Sequence, residues 1–242
     1  MKPDSHAAVA AATLCAIFSI LSGAVRAQPE SGAWEYEIVP YLWAANLDGR
    51  SGLKPAVGDV EQDFGDLIEF VNIGGSLHFE ARRTPISWYL EASYVELEST
   101  GGSPATGGVR LELGQTYGEG GLRYDINDQL AIYGGIRYQR LDTEIDSVLL
   151  GSARGNQDWI DGLAGARWMP IRSPTWLAWV RADAGAGGSD LTWLAEAGAG
   201  YRFGSRWGAY VVYRVLDTDY ESGRFVYDMR QSGLAFGFGL RF

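Results

Sequence analysis

The chain is almost without thiols: Cys15 is its single cysteine in 242 residues. That residue lies within an apolar run close to the N-terminus, so everything after residue 27 lacks both a disulfide and a thiolate nucleophile. Histidine is nearly as scarce, with only His6 and His78, which leaves one imidazole downstream for any acid-base chemistry. No apolar stretch of about 18 residues follows residue 27, which excludes a transmembrane helix. Basic residues are outnumbered 20 to 30, giving a formal charge of -10 that argues against nucleic acid as a partner.

Residues 1–27 are built as a secretory signal peptide. Lys2 precedes an apolar run from Ala7 to Leu21, and Val25-Arg26-Ala27 places small or apolar side chains around a cleavage point. Leu14, just before Cys15, is too large for a lipoprotein cleavage site. Residues 28–242 then form one domain. Without Lys2, Asp4 and Arg26, which sum to +1, its charge is -11.

The end of this domain shows its plan most clearly. Leu234, Phe236, Phe238, Leu240 and Phe242 recur at strict period two, with glycine or Arg241 among the residues between. Side chains on a strand alternate between faces, so one face meets an apolar medium. Ten segments have this character, near 34–46, 69–83, 86–98, 109–124, 129–143, 157–169, 175–187, 190–204, 206–219 and 224–242. Short joins follow the even-numbered segments and mostly longer ones follow the odd, the pattern of an antiparallel up-and-down transmembrane β-barrel. The expected fold is therefore all-β with ten strands, or eight if two weak segments are loops. Aromatic residues gather at the short-turn end (Trp34, Trp88, Tyr124, Trp168, Trp176, Tyr201, Phe203, Trp207 and Phe242), as an interfacial girdle does.

Charge parity assigns the faces. On nearly every strand the charged residues share the face opposite the apolar one. Turned inward, this face collects Glu35, Glu37, Glu80, Glu91, Glu119, Asp161, Asp183 and Glu196 with Arg82, Arg123, Arg137, Arg167, Arg181, Arg202, Arg214 and Arg241. An arginine facing lipid costs about 2–4 kcal/mol at the midplane, so reversing eight could cost up to about 16–32 kcal/mol. That exceeds the roughly 5–15 kcal/mol by which a domain is stable. The lumen is thus expected to hold a matched charge network whose members pair.

Two stretches break the alternation. Leu111 and Leu113 share a parity with Glu119 and Arg123, which suggests a bulge near Gly114 or Gly118. In the first strand Val39, Tyr41 and Trp43 would point inward beside Glu37, and Pro40 removes a ladder donor.

Trp34 to Gly49, centred on Pro40-Tyr41-Leu42-Trp43, then an acidic loop with Gly65-Asp66-Leu67-Ile68, then Phe79-Glu80-Ala81-Arg82-Arg83 and Trp88, resemble a family of small bacterial outer-membrane β-barrel proteins of unassigned activity. The terminal Phe238, Leu240 and Phe242 resemble the insertion signal read by the barrel-assembly machinery. The resemblance covers mainly residues 34–98 and the last ten. It implies the outer membrane of a Gram-negative bacterium, with membrane lipids and lipopolysaccharide as neighbours, and it transfers no catalytic residue or cofactor.

Candidate chemistry is sparse. The chain is similar in strand number to the omptin proteases, which use rim aspartates and a histidine near the outer mouth, whereas His78 is expected to face the lumen between Ser76 and Glu80, a few residues before a short turn and far from the outer rim. A barrel enzyme acting on lipid A would need histidine and serine on the lipid side with an orienting acid. Acidic residues two apart, Asp142 with Glu144 and Asp217 with Asp219, are expected at the outer rim, where a carboxylate ring would concentrate cations. None has the spacing of a calcium loop, and no metal or cofactor is expected. The expectation is a non-enzymatic surface or envelope-structural barrel, with a narrow pore and a barrel enzyme as the alternatives.

Overall fold

The computed structural model of the protein describes residues 32–103, 107–147 and 151–242. The expected signal peptide, residues 1–27, lies outside the described residues. The barrel runs over Trp34–Arg241. Its strands are β1 (Glu35–Leu53), β2 (Ala56–Gln62), β3 (Val71–Arg83), β4 (Ile86–Ser103), β5 (Gly107–Asp125), β6 (Leu130–Ser147), β7 (Gly151–Arg172), β8 (Trp176–Gly187), β9 (Leu191–Phe203), β10 (Trp207–Ser222) and β11 (Phe225–Arg241), with one helical turn, α1 (Phe64–Leu67), after β2.

From β3 to β11 each strand pairs antiparallel with its sequence neighbour, β3 pairs with β1, β2 pairs only with β1, and β11 closes on β1. The ring is therefore a closed antiparallel barrel of ten strands, β1 and β3 to β11, with β2 outside it. The lower part of β1, Glu35–Tyr41, pairs with β3, and its upper part, Leu47–Leu53, pairs with β2. The stretch 47–68, expected to be loop, thus contributes a strand that laps the outer end of β1 and anchors through the Phe64 amide, which donates to Asn46 Oδ1 at 2.7 Å.

Crossing a hydrocarbon core takes about 9–11 tilted residues, yet β7 has 22 and the shortest ring strand, β8, has 12. The excess lies mostly at the end away from the short turns, so stretches expected as loops, 100–108 and 144–156, are largely strand. This explains the failed alternation in β5. Its ladders with β4 and β6 run without any register shift, so there is no bulge at Gly114 or Gly118. Leu113, 40% exposed, lies where the strand has left the belt, and with water on both faces nothing selects an alternation there. Register shifts occur instead at Val71/Ile73 and Trp168/Ile171.

Pro40 also finds its place. It faces outward opposite Leu77, and the β1–β11 ladder passes from the Ile38–Leu240 pair to the Tyr41–Gly237 pair in unbroken register. The missing donor removes a rung at the seam without displacing the strand.

The exterior carries a band of exposed apolar side chains, including Leu42, Leu77, Leu90, Ile136, Val180, Val211, Phe236 and Phe238. Toward the short turns it ends in exposed Trp34, Trp88, Tyr124, Trp168, Trp176, Tyr201, Phe203 and Trp207. Phe238 and Leu240 lie on the outward face of β11, and Phe242 is exposed beyond it.

Candidate functional site

The lumen is filled in layers. At its centre Arg137 is completely buried. Its Nη2 donates to Glu119 Oε2 at 2.7 Å and to Asp183 Oδ1 at 2.8 Å, its Nη1 to Thr192 Oγ1 at 3.1 Å and its Nε to Glu119 at 3.1 Å. Tyr117 and Arg181 complete Glu119, at 2.6 Å and 3.0 Å, while Tyr133 donates to Asp183 at 2.8 Å. Arg214 lies beside this cluster, bonded to Glu196 at 3.1 Å and 3.2 Å, to the Tyr41 hydroxyl at 3.1 Å, and ion-paired with Glu91. Tyr41 and Trp43 flank its guanidinium, each ring centre 5.5 Å away. These bonds are what make burying such charges tolerable.

Above the charges comes an apolar layer of Tyr117, Leu194 and Leu216 against Trp43. Higher still, Gln139 donates to Thr218 at 3.1 Å. The outer end is closed by Trp159, Tyr220, Tyr227 and Met229, packed with Leu47, Leu141, Phe225 and Val60 of β2. Trp159 and Tyr220 stack with ring centres 4.1 Å apart. At the short-turn end the lumen instead opens into a cavity of about 150 Å³.

All sixteen charged residues assigned to the lumen by parity are buried or line this cavity. Their pairing is uneven, however, which corrects the expectation of a balanced network. Arg137 and Asp161 are partners in register, but Asp161 accepts from the Ser189 amide and hydroxyl, both at 2.8 Å. Glu80 serves Arg123 at 3.0 Å, Arg82 at 3.1 Å and Arg167 at 3.9 Å, while among the described residues no carboxylate lies within 4.0 Å of Arg202 or Arg241. Neighbours overlooked in the sequence are Tyr210, bonded to Glu37, Trp179, bonded to Glu196 at 3.1 Å, and Arg172. Tyr210 and Trp179 share their strands' inward parity, the signal that could have found them, whereas Arg172 is out of phase with Asp161 and Arg167 and lines the cavity only beyond the register shift at Trp168/Ile171.

His78 lies between two carboxylates, Nδ1 at 3.6 Å from Glu91 and Nε2 at 3.9 Å from Glu80. Ser76 directs its hydroxyl to Ser93 at 2.9 Å. The three groups do not form a nucleophile, base and orienting acid in hydrogen-bonded sequence.

The acidic rim residues do not converge on the mouth. Asp142 and Glu144 share the outward parity of Ile136 and Tyr138, and Asp217 and Asp219 that of Val211 and Tyr213. They therefore stand on the outer wall above the apolar band, interleaved with arginines. Arg140 bonds Asp142 at 2.8 Å, Arg230 bonds Asp217 at 2.8 Å, Arg50 bonds Asp228 at 2.9 Å, and Arg154 pairs with Glu144. Arg140 holds the Asp142 carboxyl below its ordinary range.

Asp219 has the opposite surroundings. Partial burial, and then the charges of Asp228, Asp190, Asp217 and Glu221, raise its carboxyl above the usual range. A folded-state pKa above the unfolded value means that ionisation at neutral pH opposes folding, and the penalty fades as pH falls through the raised value. Asp219→Asn is thus expected to stabilise the barrel at pH 7, with the gain shrinking toward about pH 4. Urea unfolding at several pH values checks this, and a variant less stable than wild type at pH 7 would refute it.

Comparison with known proteins assigns the family. The family model for the outer membrane protein β-barrel domain matches residues 13–242. The chain belongs to this family. Among solved structures, this β-barrel domain is similar to Ail of Yersinia pestis in complex with the heparin analogue sucrose octasulfate, at 13% identity and TM-score 0.40 over 86% of this chain and 98% of that one. It is also similar to the translocator domain of the autotransporter NalP of Neisseria meningitidis, at 14% identity and TM-score 0.40 over 98% and 96%. For the transport unit of AIDA-I of Escherichia coli the values are 10%, 0.39, 96% and 96%. No curated protein matches the sequence.

Proposed function

We propose that this outer-membrane barrel is a closed, non-conducting element of a Gram-negative envelope, inserted by the barrel-assembly machinery. Its work is done on the outside, through the long outer strand ends, and not through the lumen. The observation that carries this reading is the double closure: a buried, densely bonded charge layer around Arg137 below an aromatic lid around Trp159. A conducting pore of this strand number would need the space those side chains occupy.

The outward ring of alternating arginine and carboxylate, immediately above the apolar band, suits the headgroup level of lipopolysaccharide. Arginines there reach phosphates directly, and the carboxylates bridge to them through divalent cations. His78 has no catalytic part in this reading; it belongs to the charge layer.

Planar bilayer recording tests the proposal. Wild-type protein is expected to show no discrete openings at high salt. Trp159→Ala with Tyr220→Ala is expected to stay closed as well, because the charge layer beneath remains. Reproducible unitary steps from the wild type would overturn the reading.

A further inference from the structure

The lumen's arginines and carboxylates are matched in number but not in place. Glu119, Asp161 and Asp183 lie above the cavity at the short-turn end, and the walls of that cavity carry eight arginines against five glutamates. Counting Asp125, 4.0 Å from Arg172, as a sixth acid, the local excess is two positive charges if His78 is neutral. Arg202 and Arg241 have no carboxylate within 4.0 Å among the described residues, and Arg167 has only a third share of Glu80 at 3.9 Å. The Nε groups of Arg82, Arg167, Arg181 and Arg202 are buried and have no hydrogen-bond partner among the described residues. Arg172 sits in the fields of both Arg82 and Arg202, offset only by Asp125 at 4.0 Å and by the Asp128 carbonyl, to which it donates at 3.2 Å.

Leaving buried donors unmet is costly, and a protein that only needed a filled lumen would place acids here as it does one layer higher. We infer that this cavity is a binding site for a small, soluble, phosphate-bearing anion entering from the periplasmic side. A guanidinium fork meets phosphate oxygens in bidentate geometry, and an excess of two charges suits a dianion better than a single carboxylate. The volume of about 150 Å³ is roughly ten times the 10–15 Å³ that one water needs. Entry is fixed by the fold. The lining residues Glu35, Arg82, Arg172, Arg202 and Arg241 all lie at the short-turn ends of their strands, while the aromatic lid blocks the other end. Every neighbouring pair of ring strands is joined by a ladder, so a lipid has no lateral way in. Glu35 and Glu37 at the entrance oppose the anion; Tyr210 already occupies Glu37.

The test is calorimetry on the full mature protein in neutral detergent, titrated with inorganic phosphate at constant ionic strength. Saturable binding near one equivalent is expected, and Arg202→Gln with Arg241→Gln is expected to weaken it about tenfold or more. Glu35→Gln is expected to tighten it, and this variant carries the test if the arginine pair fails to fold, as judged by heat-dependent gel mobility. Glycerol 3-phosphate binding as inorganic phosphate does would extend the site to phosphate esters. No saturable binding, binding unchanged by either substitution, or stabilisation only by vesicles of anionic phospholipid would overturn the inference. A conducting but phosphate-binding barrel would refute the closed-barrel proposal alone.

Discussion

Replacing Arg137 with methionine is expected to lower the stability of the folded barrel by about 3–5 kcal/mol, the usual cost of taking one partner out of a buried charge cluster. Arg137 is completely buried and bonds two carboxylates and a threonine at once. Methionine fills much of the same space but leaves Asp183 with Tyr133 at 2.8 Å and Arg181 at 3.9 Å, and Glu119 with only Tyr117 and Arg181. The deficit is electrostatic, so neutralising the stranded acids should restore it. Arg137→Met combined with Glu119→Gln and Asp183→Asn is expected to recover most of the loss, since apolar or neutral replacement of a whole buried cluster is often close to neutral. Unfolding by urea in lipid vesicles, followed by tryptophan fluorescence, reads both variants. A loss below about 1 kcal/mol, the scale of an exposed ion pair, would mean that water fills the lumen and that the closed-barrel reading fails with it.

The facing of these residues is legible in the sequence because two media impose opposite demands on alternate positions. Glu91 follows Leu90, and Arg137 follows Ile136; only one assignment keeps guanidiniums out of hydrocarbon. The same logic stops where the hydrocarbon stops. Leu111 and Leu113 kept the register while losing the alternation, and β2, lying wholly in the outer region, gave no periodic signal at all. Nor could parity show who pairs with whom. The bond from Arg137 to Asp183 spans 46 residues and two ladders, so it depends on how far the strands are staggered around the ring. That stagger also decides that Asp161 meets Ser189 in place of Arg137, and hence that positive charge is left over at the short-turn end. A census of lumen charges gives equality; only their heights show the imbalance.

Leu90→Arg is expected to cost about 2–4 kcal/mol, and Ile86→Arg, on the same strand and the same face, only about 0–1 kcal/mol. Leu90 stands midway along the outward row of β4 from Ile86 to Tyr94, 56% exposed, with Trp88 and Ala92 as its neighbours in that row. Ile86 is the first residue of the strand, beside the turn that carries Thr84 and Pro85. Four residues at about 3.3 Å each, reduced by a strand tilt of 35–45°, separate the two positions by roughly 10 Å of depth. An arginine at Ile86 extends its guanidinium into the interface among the aromatic residues, whereas one at Leu90 has no polar surface within reach on either side. The difference between the two variants is therefore a depth gauge that does not depend on the absolute stability of the barrel. Unfolding both in the same vesicles removes errors of extrapolation. Equal costs at the two positions would show that the exposed apolar band does not mark the bilayer, and the inward assignment of every arginine would lose its physical basis.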